Sequence, residues 1–265
     1  MPIINCDCRA IPMDAIAQYH SLITDPPYSP HCHEKARTRK GGEMCANDFG
    51  FAPLTPALRR WIARAASTVQ RWSVVYSDVE RAHLLRRSVA AVNRTNSVRS
   101  VPIIGGEMPW VRWSTPQFNG LGPPQSFETV LLFCRTGERH WNGSGMRDSA
   151  ILQHARIQGG NKHKTEKPLD QALDLVAWYT DPGETVFDPF AGRGTIGLAC
   201  RILGRKYVGT EIDRRECDLA CARIANPALS DRDRERVSRW ATATLAAQNK
   251  RLRPEDRATA EACQK

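Results

Sequence analysis

A chain of 265 residues, 41% hydrophobic and 25% charged, is long enough for one large α/β domain with a substantial core and a smaller insertion. Its 38 Lys and Arg against 28 Asp and Glu give a formal net charge of +10, with a pI of about 9.4, which suits a polyanionic partner. No apolar run approaches the ~18 residues of a membrane span, and no basic region followed by an apolar one opens the chain, so neither a span nor a signal peptide is expected and the chain reads as cytoplasmic.

Ile3 to Cys6 reads as a short strand, Met13 to Tyr19 as a short helix, and His20 to Thr24 as a second strand. That strand runs into Asp25-Pro26-Pro27-Tyr28. The Asp25 carboxylate and the Pro26 carbonyl are acceptors, and Tyr28 adds a flat ring. These groups suit an exocyclic amine on a planar base; alone, the tetrapeptide reads equally well as a proline-stiffened turn. Residues 29–50 are polar, basic and glycine-containing, the composition of a mobile loop that is either a flap over DNA phosphates or an ordinary surface loop. Between Glu34 and Ser100 there are 13 Lys/Arg against 5 Asp/Glu, a surplus of 8 beside the Asp25 loop. The location favours nucleic acid over an acidic small molecule, solvated helix faces being the plain alternative.

Thr55 and Pro56 form a helix start, and Leu58, Ile62, Ala65 and Val69 keep the spacing of one buried face. Trp72 to Tyr76 is a strand, and Asp78 caps a helix to about Val92. Val101 to Ile104 and Trp110 to Trp113 read as two short strands, and Thr129 to Phe133 as a buried one. Residues 134–164 break the strand and helix alternation. Rich in Gly, Arg, His and Asn, they read as a target-recognition insertion, with Arg135, Arg139, Arg147, Arg156 and Lys162 as candidates for phosphate or guanine contacts and Asn142 or Gln153 for adenine; simple exposure is the alternative for each.

Pro168 opens a helix through Leu169, Leu173, Val176 and Tyr179. Thr185 to Ala199 (TVFDPFAGRGTIGLA) then reads as strand, glycine turn and helix, with the helix stopped by Gly204. Such a turn aims free backbone N–H groups at a ligand. Lys206 to Thr210 is a further strand, and it delivers Glu211 where an acid accepts bonds from two ribose hydroxyls. Cys217 to Ala225 is helical, and 229–265 is a charged tail, either a solvated helix or partly disordered. The nine cysteines are odd in number and without paired spacing, so they read as reduced thiols. His31, Cys32, His33 and Cys45 imitate a metal site that no second pair completes, and no metal is expected.

Together, Asp25 to Tyr28 and the Phe190-x-Gly192-x-Gly194 turn resemble the DNA amino-methyltransferases, which methylate adenine N6 or cytosine N4 with S-adenosylmethionine. The order of the two motifs is similar to the permuted β class; a protein-glutamine methyltransferase carries them in the opposite order. Lys167-Pro168 resembles the family's H-P-T-x-K-P segment, with Lys164 where a proline is usual, and Trp110 to Glu128 is similar to phage-type members.

The resemblance implies a Rossmann-like sheet with helices on both faces over 1–228, and Asp25, Pro26, Pro27 and Tyr28 as catalytic. It places Asp7, Lys167, Asp188, Phe190, Gly192, Gly194, Thr195 and Glu211 around S-adenosylmethionine, with Lys167 and Thr195 toward its carboxylate. The implied partner is duplex DNA, and the β class implies a homodimer. Asp-Pro-Pro-Tyr resembles mainly the adenine members; cytosine N4, an RNA substrate and a catalytically silent DNA-binding protein are the alternatives. The chain has no Pro-Cys dipeptide, which cytosine C5 chemistry would use.

Overall fold

The computed structural model describes residues 2–28, 37–40, 43–46, 52–79, 81–95, 103–111, 127–135, 141–142, 166–226 and 228–249. Its strands are β1 (Ile3–Asn5), β2 (Ser21–Thr24), β3 (Arg37–Lys40), β4 (Glu43–Ala46), β5 (Trp72–Ser77), β6 (Ile103–Val111), β7 (Phe127–Arg135), β8 (Thr185–Asp188) and β9 (Lys206–Glu211). The helices are α1 (Met13–Ile16), α2 (Pro56–Thr68), α3 (Ala82–Thr95), α4 (Leu169–Tyr179), α5 (Thr195–Ile202), α6 (Arg214–Ala225) and α7 (Asp231–Asn249).

Seven strands form one sheet in the order β1-β9-β8-β2-β5-β7-β6, while β3 and β4 pair as a separate antiparallel hairpin within the basic 29–50 stretch. The run from β1 to β5 is parallel; β7 is antiparallel to β5, and β6 to β7. A parallel strand covered on both faces must be apolar on both, and β2 is buried throughout. Its Ile23 packs with Val74, Val186, Leu173 and Val176 on the α4–α6 face, and Leu22 packs with Val75, Phe187 and Ile62 on the α1–α3 face. The expected α/β sheet with helices on both faces is what the chain forms.

Local chemistry sets the boundaries. The Thr55 side chain accepts the Leu58 N–H at 3.2 Å, with Pro56 in the first turn of α2, and the Asp78 carboxylate accepts the Arg81 N–H at 2.8 Å ahead of α3. One boundary differs from expectation. The two short strands anticipated around Val101 and Trp110 are one strand, β6, continuous through Gly105-Gly106 and Pro109. β6 is the sheet's edge, where the N–H that Pro109 lacks need break no ladder bond.

Arg135 and Asn142 hold the fold together. Arg135 donates to the Thr68 carbonyl (3.0 Å) at the end of α2, and Asn142 donates to the Thr180 carbonyl (2.9 Å) and to Asp181 (2.6 Å). The other recognition candidates, Arg139, Arg147, Gln153, Arg156 and Lys162, lie outside the described residues, as do His31, Cys32 and His33. The tail from 229 begins as α7, which packs Val237 and Trp240 on the α4–α6 core and pairs Arg236 with Asp170. Among the described residues no helix is long and apolar enough to cross a membrane.

Candidate active site

Ligands of open α/β sheets bind beyond the carboxyl ends of the strands. At that edge β1, β9, β8 and β2 deliver Asp7, Glu211, the glycine turn and Asp25 side by side. β7 runs the other way, so its first residues reach the same edge, and Glu128 arrives beside Asp25 from a strand two places away.

The Asp25 loop is organised by one cation. Lys167 Nζ lies 3.0 Å from Asp25 Oδ2, 3.0 Å from Glu128 Oε2 and 2.9 Å from the Tyr28 hydroxyl. An ammonium has three N–H donors, and these three partners use them all. Its Nζ also stands 5.0 Å from the ring centroids of Tyr28 and Tyr76 and 5.5 Å from that of Trp110. The Tyr28 hydroxyl in turn donates a short hydrogen bond to Glu128 Oε2, and the Tyr28 carbonyl accepts the Leu54 N–H at 2.9 Å. Burial disfavours the Lys167 charge, but Asp25 and Glu128 outweigh it, and its pKa is raised.

Asp25 has an oxygen to spare. Oδ2 faces Lys167, while Oδ1 is buried without a hydrogen-bond partner. Burial pushes the carboxyl up to about 6, the Lys167 charge opposing and the Glu128 charge adding to the rise. A buried acceptor without a donor is costly, so an atom left this way is a candidate ligand contact.

The glycine turn works through its backbone. Gly192 (φ 48°) and Gly194 (φ 70°) lie in the left-handed region, and Gly194 ends the turn as the N-cap of α5 with no side-chain bond to the helix's first N–H groups. A Cβ at Gly194 would stand 3.0 Å from Ile224 Cδ1, whereas one at Gly192 would meet nothing within 4 Å. The turn therefore packs on α6 through Gly194 and faces open space at Gly192. Glu211 borders that space, accepting the Gly192 N–H at 2.8 Å and the Asp213 N–H at 3.0 Å. An acid, an uncapped helix start and an open turn fit a ligand carrying hydroxyls and a carboxylate, as the expected cofactor does.

The remaining expected cofactor residues divide. Phe190 lies in the turn, its ring half-buried against the α1–α3 core. Asp7 follows β1 and caps a 3-10 turn at Cys8–Ala10; its hydrogen bonds from Arg9 lower its pKa. Thr195 is buried, and its hydroxyl accepts from Arg223 at 3.2 Å. Two have close partners within the protein. Lys167 gives its donors to Asp25, Glu128 and Tyr28. Asp188 is 1% exposed, its oxygens taken by Thr24 Oγ1 (2.7 Å), the Phe190 N–H (3.2 Å) and the Tyr207 hydroxyl (3.2 Å). It fastens the glycine turn to the strand that carries Asp25, and burial raises it to about 7.

Sequence reasoning missed Glu128 as a site residue, with Thr24, Tyr76 and Arg223. Arg223 bonds Glu166 (2.9 Å), the Arg193 carbonyl (3.2 Å), Thr195 and Asp233 (2.9 Å), tying α7 to the glycine turn. Only Glu128 had a signal, as the acid that closes the phage-type segment.

Residues 132–222 match the N6/N4 methyltransferase family model, described as DNA methylase. The chain is 38% identical to the orphan methyltransferase M.BamHII of Bacillus amyloliquefaciens over 65 residues, 24% of each protein. It is 23% identical to the type II methyltransferase M2.MboI of Moraxella bovis over 246 residues, 84% of this chain and 87% of that one. The chain spans between 23% and 37% of the length of three curated relatives, M.BamHII among them. A crystal structure of the M1.HpyAVI–SAM complex superposes with a TM-score of 0.59 at 22% identity, covering 84% of this chain and 98% of that one.

Proposed function

We propose that this chain, whose residues 132–222 match the N6/N4 DNA methylase family model, moves a methyl group from S-adenosylmethionine to an exocyclic amine of a base flipped out of duplex DNA, adenine N6 being the target. The observation that carries the reading is the buried, unpartnered Asp25 Oδ1 beside a ring at Tyr28 and an open glycine turn.

An aromatic exocyclic amine is a poor nucleophile because its lone pair is delocalised into the ring. Asp25 Oδ1 and the Pro26 carbonyl accept its two hydrogens, which favours a tetrahedral nitrogen with the lone pair directed at the methyl group. Tyr28 stacks on the flipped base, and the surplus of Lys and Arg between Glu34 and Ser100 holds the phosphates. Glu211 takes the ribose hydroxyls, and the N–H groups at the start of α5 face the ligand's anionic end. When bound, the cofactor supplies a sulfonium methyl whose carbon–sulfur bond breaks with its electron pair left on sulfur. As the new N–C bond forms, the nitrogen sheds one proton to Asp25, and a carboxyl near 6 is a better acceptor for it than one near 4.

Incubation with labelled S-adenosylmethionine and unmethylated duplex DNA, followed by nucleoside digestion and mass spectrometry, tests this. N6-methyladenine is expected, falling at least about 100-fold in Asp25→Ala. N4-methylcytosine would move the target to cytosine, and no methylated base despite cofactor binding would overturn the reading.

A further inference from the structure

We propose that Glu128 is a positioning residue for the transfer, acting through Lys167 and the Tyr28 hydroxyl to hold the stacking ring and the Asp25 carboxylate in one arrangement. The inference rests on the reading of Asp25 as the amine's acceptor and adds to it a residue from a different strand.

The geometry gives three arguments. Glu128 Oε2 is the meeting point of the cluster, since it accepts from both Lys167 Nζ (3.0 Å) and the Tyr28 hydroxyl. One bond fixes where the ammonium stands and the other fixes where the hydroxyl end of the Tyr28 ring stands. A phenylalanine would stack as well but would not be held this way.

Charge is the second argument. Asp25 and Lys167 alone would be a neutral pair, with the ammonium free to close both of its remaining N–H groups on Asp25. Glu128 draws one of those donors away, and Oδ1 of Asp25 stays without a partner. The pocket keeps one net negative charge where the amine's hydrogens arrive.

The third is enclosure. The Lys167 and Glu128 side chains are 10% and 14% exposed, and the rings of Tyr28, Tyr76 and Trp110 surround the ammonium. In such a setting the charges are weakly screened: removing Lys167 leaves two buried carboxylates without compensation, and removing Glu128 leaves Lys167 to Asp25 alone.

The groups facing Asp25 are Lys167, Glu128, the Tyr28 and Tyr76 hydroxyls and, beyond Thr24, Asp188. Glu128 raises the Asp25 pKa and Lys167 lowers it, so their removal should act in opposite directions.

The experiment compares Glu128→Gln, Lys167→Met, Lys167→Arg and Asp25→Ala with wild type. Asp25 is titrated by carbon-13 NMR in the ligand-free protein, and kcat, KM and S-adenosylmethionine Kd are measured. The expected Asp25 midpoint is about 6 in wild type, lower in Glu128→Gln and higher in Lys167→Met. For Glu128→Gln, kcat is expected to fall about 10-fold or more with cofactor Kd within about 2-fold of wild type, while Lys167→Arg recovers part of what Lys167→Met loses. An unmoved midpoint together with wild-type kcat in Glu128→Gln would overturn the proposal. Asp25→Ala separates the two readings: an active Asp25→Ala sinks the acceptor role itself, whereas an inactive one beside an unaffected Glu128→Gln sinks only the positioning role. The NMR midpoint decides the electrostatic coupling even without turnover.

Discussion

The glycine turn and the Asp25 pocket share one edge of the sheet and are built by different means. The turn lies in one contiguous stretch, Thr185 to Glu211, and is held by backbone: left-handed glycines, the Gly192 N–H on Glu211 and the Phe190 N–H on Asp188. The pocket gathers Asp25, Glu128 and Lys167 from three distant segments and is held by charge. The turn is sensitive to an added Cβ, and the pocket to a change of charge. The Thr24–Asp188 hydrogen bond, 2.7 Å long, joins them.

That joint is where the largest effect is expected. Burial raises Asp188 to about 7 from an ordinary 3.8, so the folded protein favours the protonated acid. The sign follows: stability from this group is greatest below about pH 4 and declines as pH rises to 7 and the buried carboxyl ionises. At about 1.4 kcal/mol per pKa unit, at most about 4 kcal/mol is involved. Asp188→Asn should remove most of that slope, leaving the smaller one of the same sign from Asp25, which is raised to about 6. Urea unfolding at pH 5 and pH 8 measures it; equal wild-type stability at the two pH values would mean that the bonds from Thr24, Phe190 and Tyr207 fully offset the burial of the charge.

The two turn glycines sharpen the backbone side. Alanine at Gly194 must adopt φ 70° and stand 3.0 Å from Ile224 Cδ1 and 3.1 Å from Ala220 Cβ, for a stability loss of about 2–3 kcal/mol. Alanine at Gly192 bears only the left-handed conformation, about 1–2 kcal/mol, but its methyl enters the open space beside Glu211. Thermal melts should rank Gly194→Ala as the less stable, and calorimetric titration should rank Gly192→Ala as the weaker binder of S-adenosylmethionine. The reverse ranking in the titration would move the ligand away from the turn's open side.

The contrast also explains what could be read from the sequence. The turn was legible because its parts are neighbours: Thr185 to Glu211 carries strand, glycines, helix and acid in order, and the structure keeps them so. Asp25 was legible from its prolines and its strand. Its partners were not, since Tyr28 and Glu128 are 100 residues apart, Glu128 and Lys167 are 39 apart, and no local pattern encodes a meeting of that kind. Lys167 was expected at the cofactor through the family's H-P-T-x-K-P segment, and that resemblance says nothing of the two carboxylates that stand 3.0 Å from it. The two short strands expected at Val101 to Ile104 and Trp110 to Trp113 leave out Gly105, Gly106 and Pro109, because propensity ignores whether a strand is central or at the edge.

Of the two alternatives for the tail, residues 231–249 form the helix, and it is docked rather than fully solvated. Charge dominates 229–265, yet two apolar side chains, Val237 and Trp240, anchor α7 on the core, and Trp240 Nε1 donates to Asp174 at 2.7 Å. Trp240→Phe keeps most of the ring contact and loses a hydrogen bond to a carboxylate, so the expected loss is about 1–2 kcal/mol, or about 2–6 °C in melting temperature. Cofactor affinity should not change, because the link from α7 to the glycine turn runs through Asp233 and Arg223 rather than through Trp240. If titration showed weaker S-adenosylmethionine binding in Trp240→Phe, helix docking would be transmitted to Thr195, and the turn would no longer be a device of one contiguous stretch but one that the C-terminal helix completes.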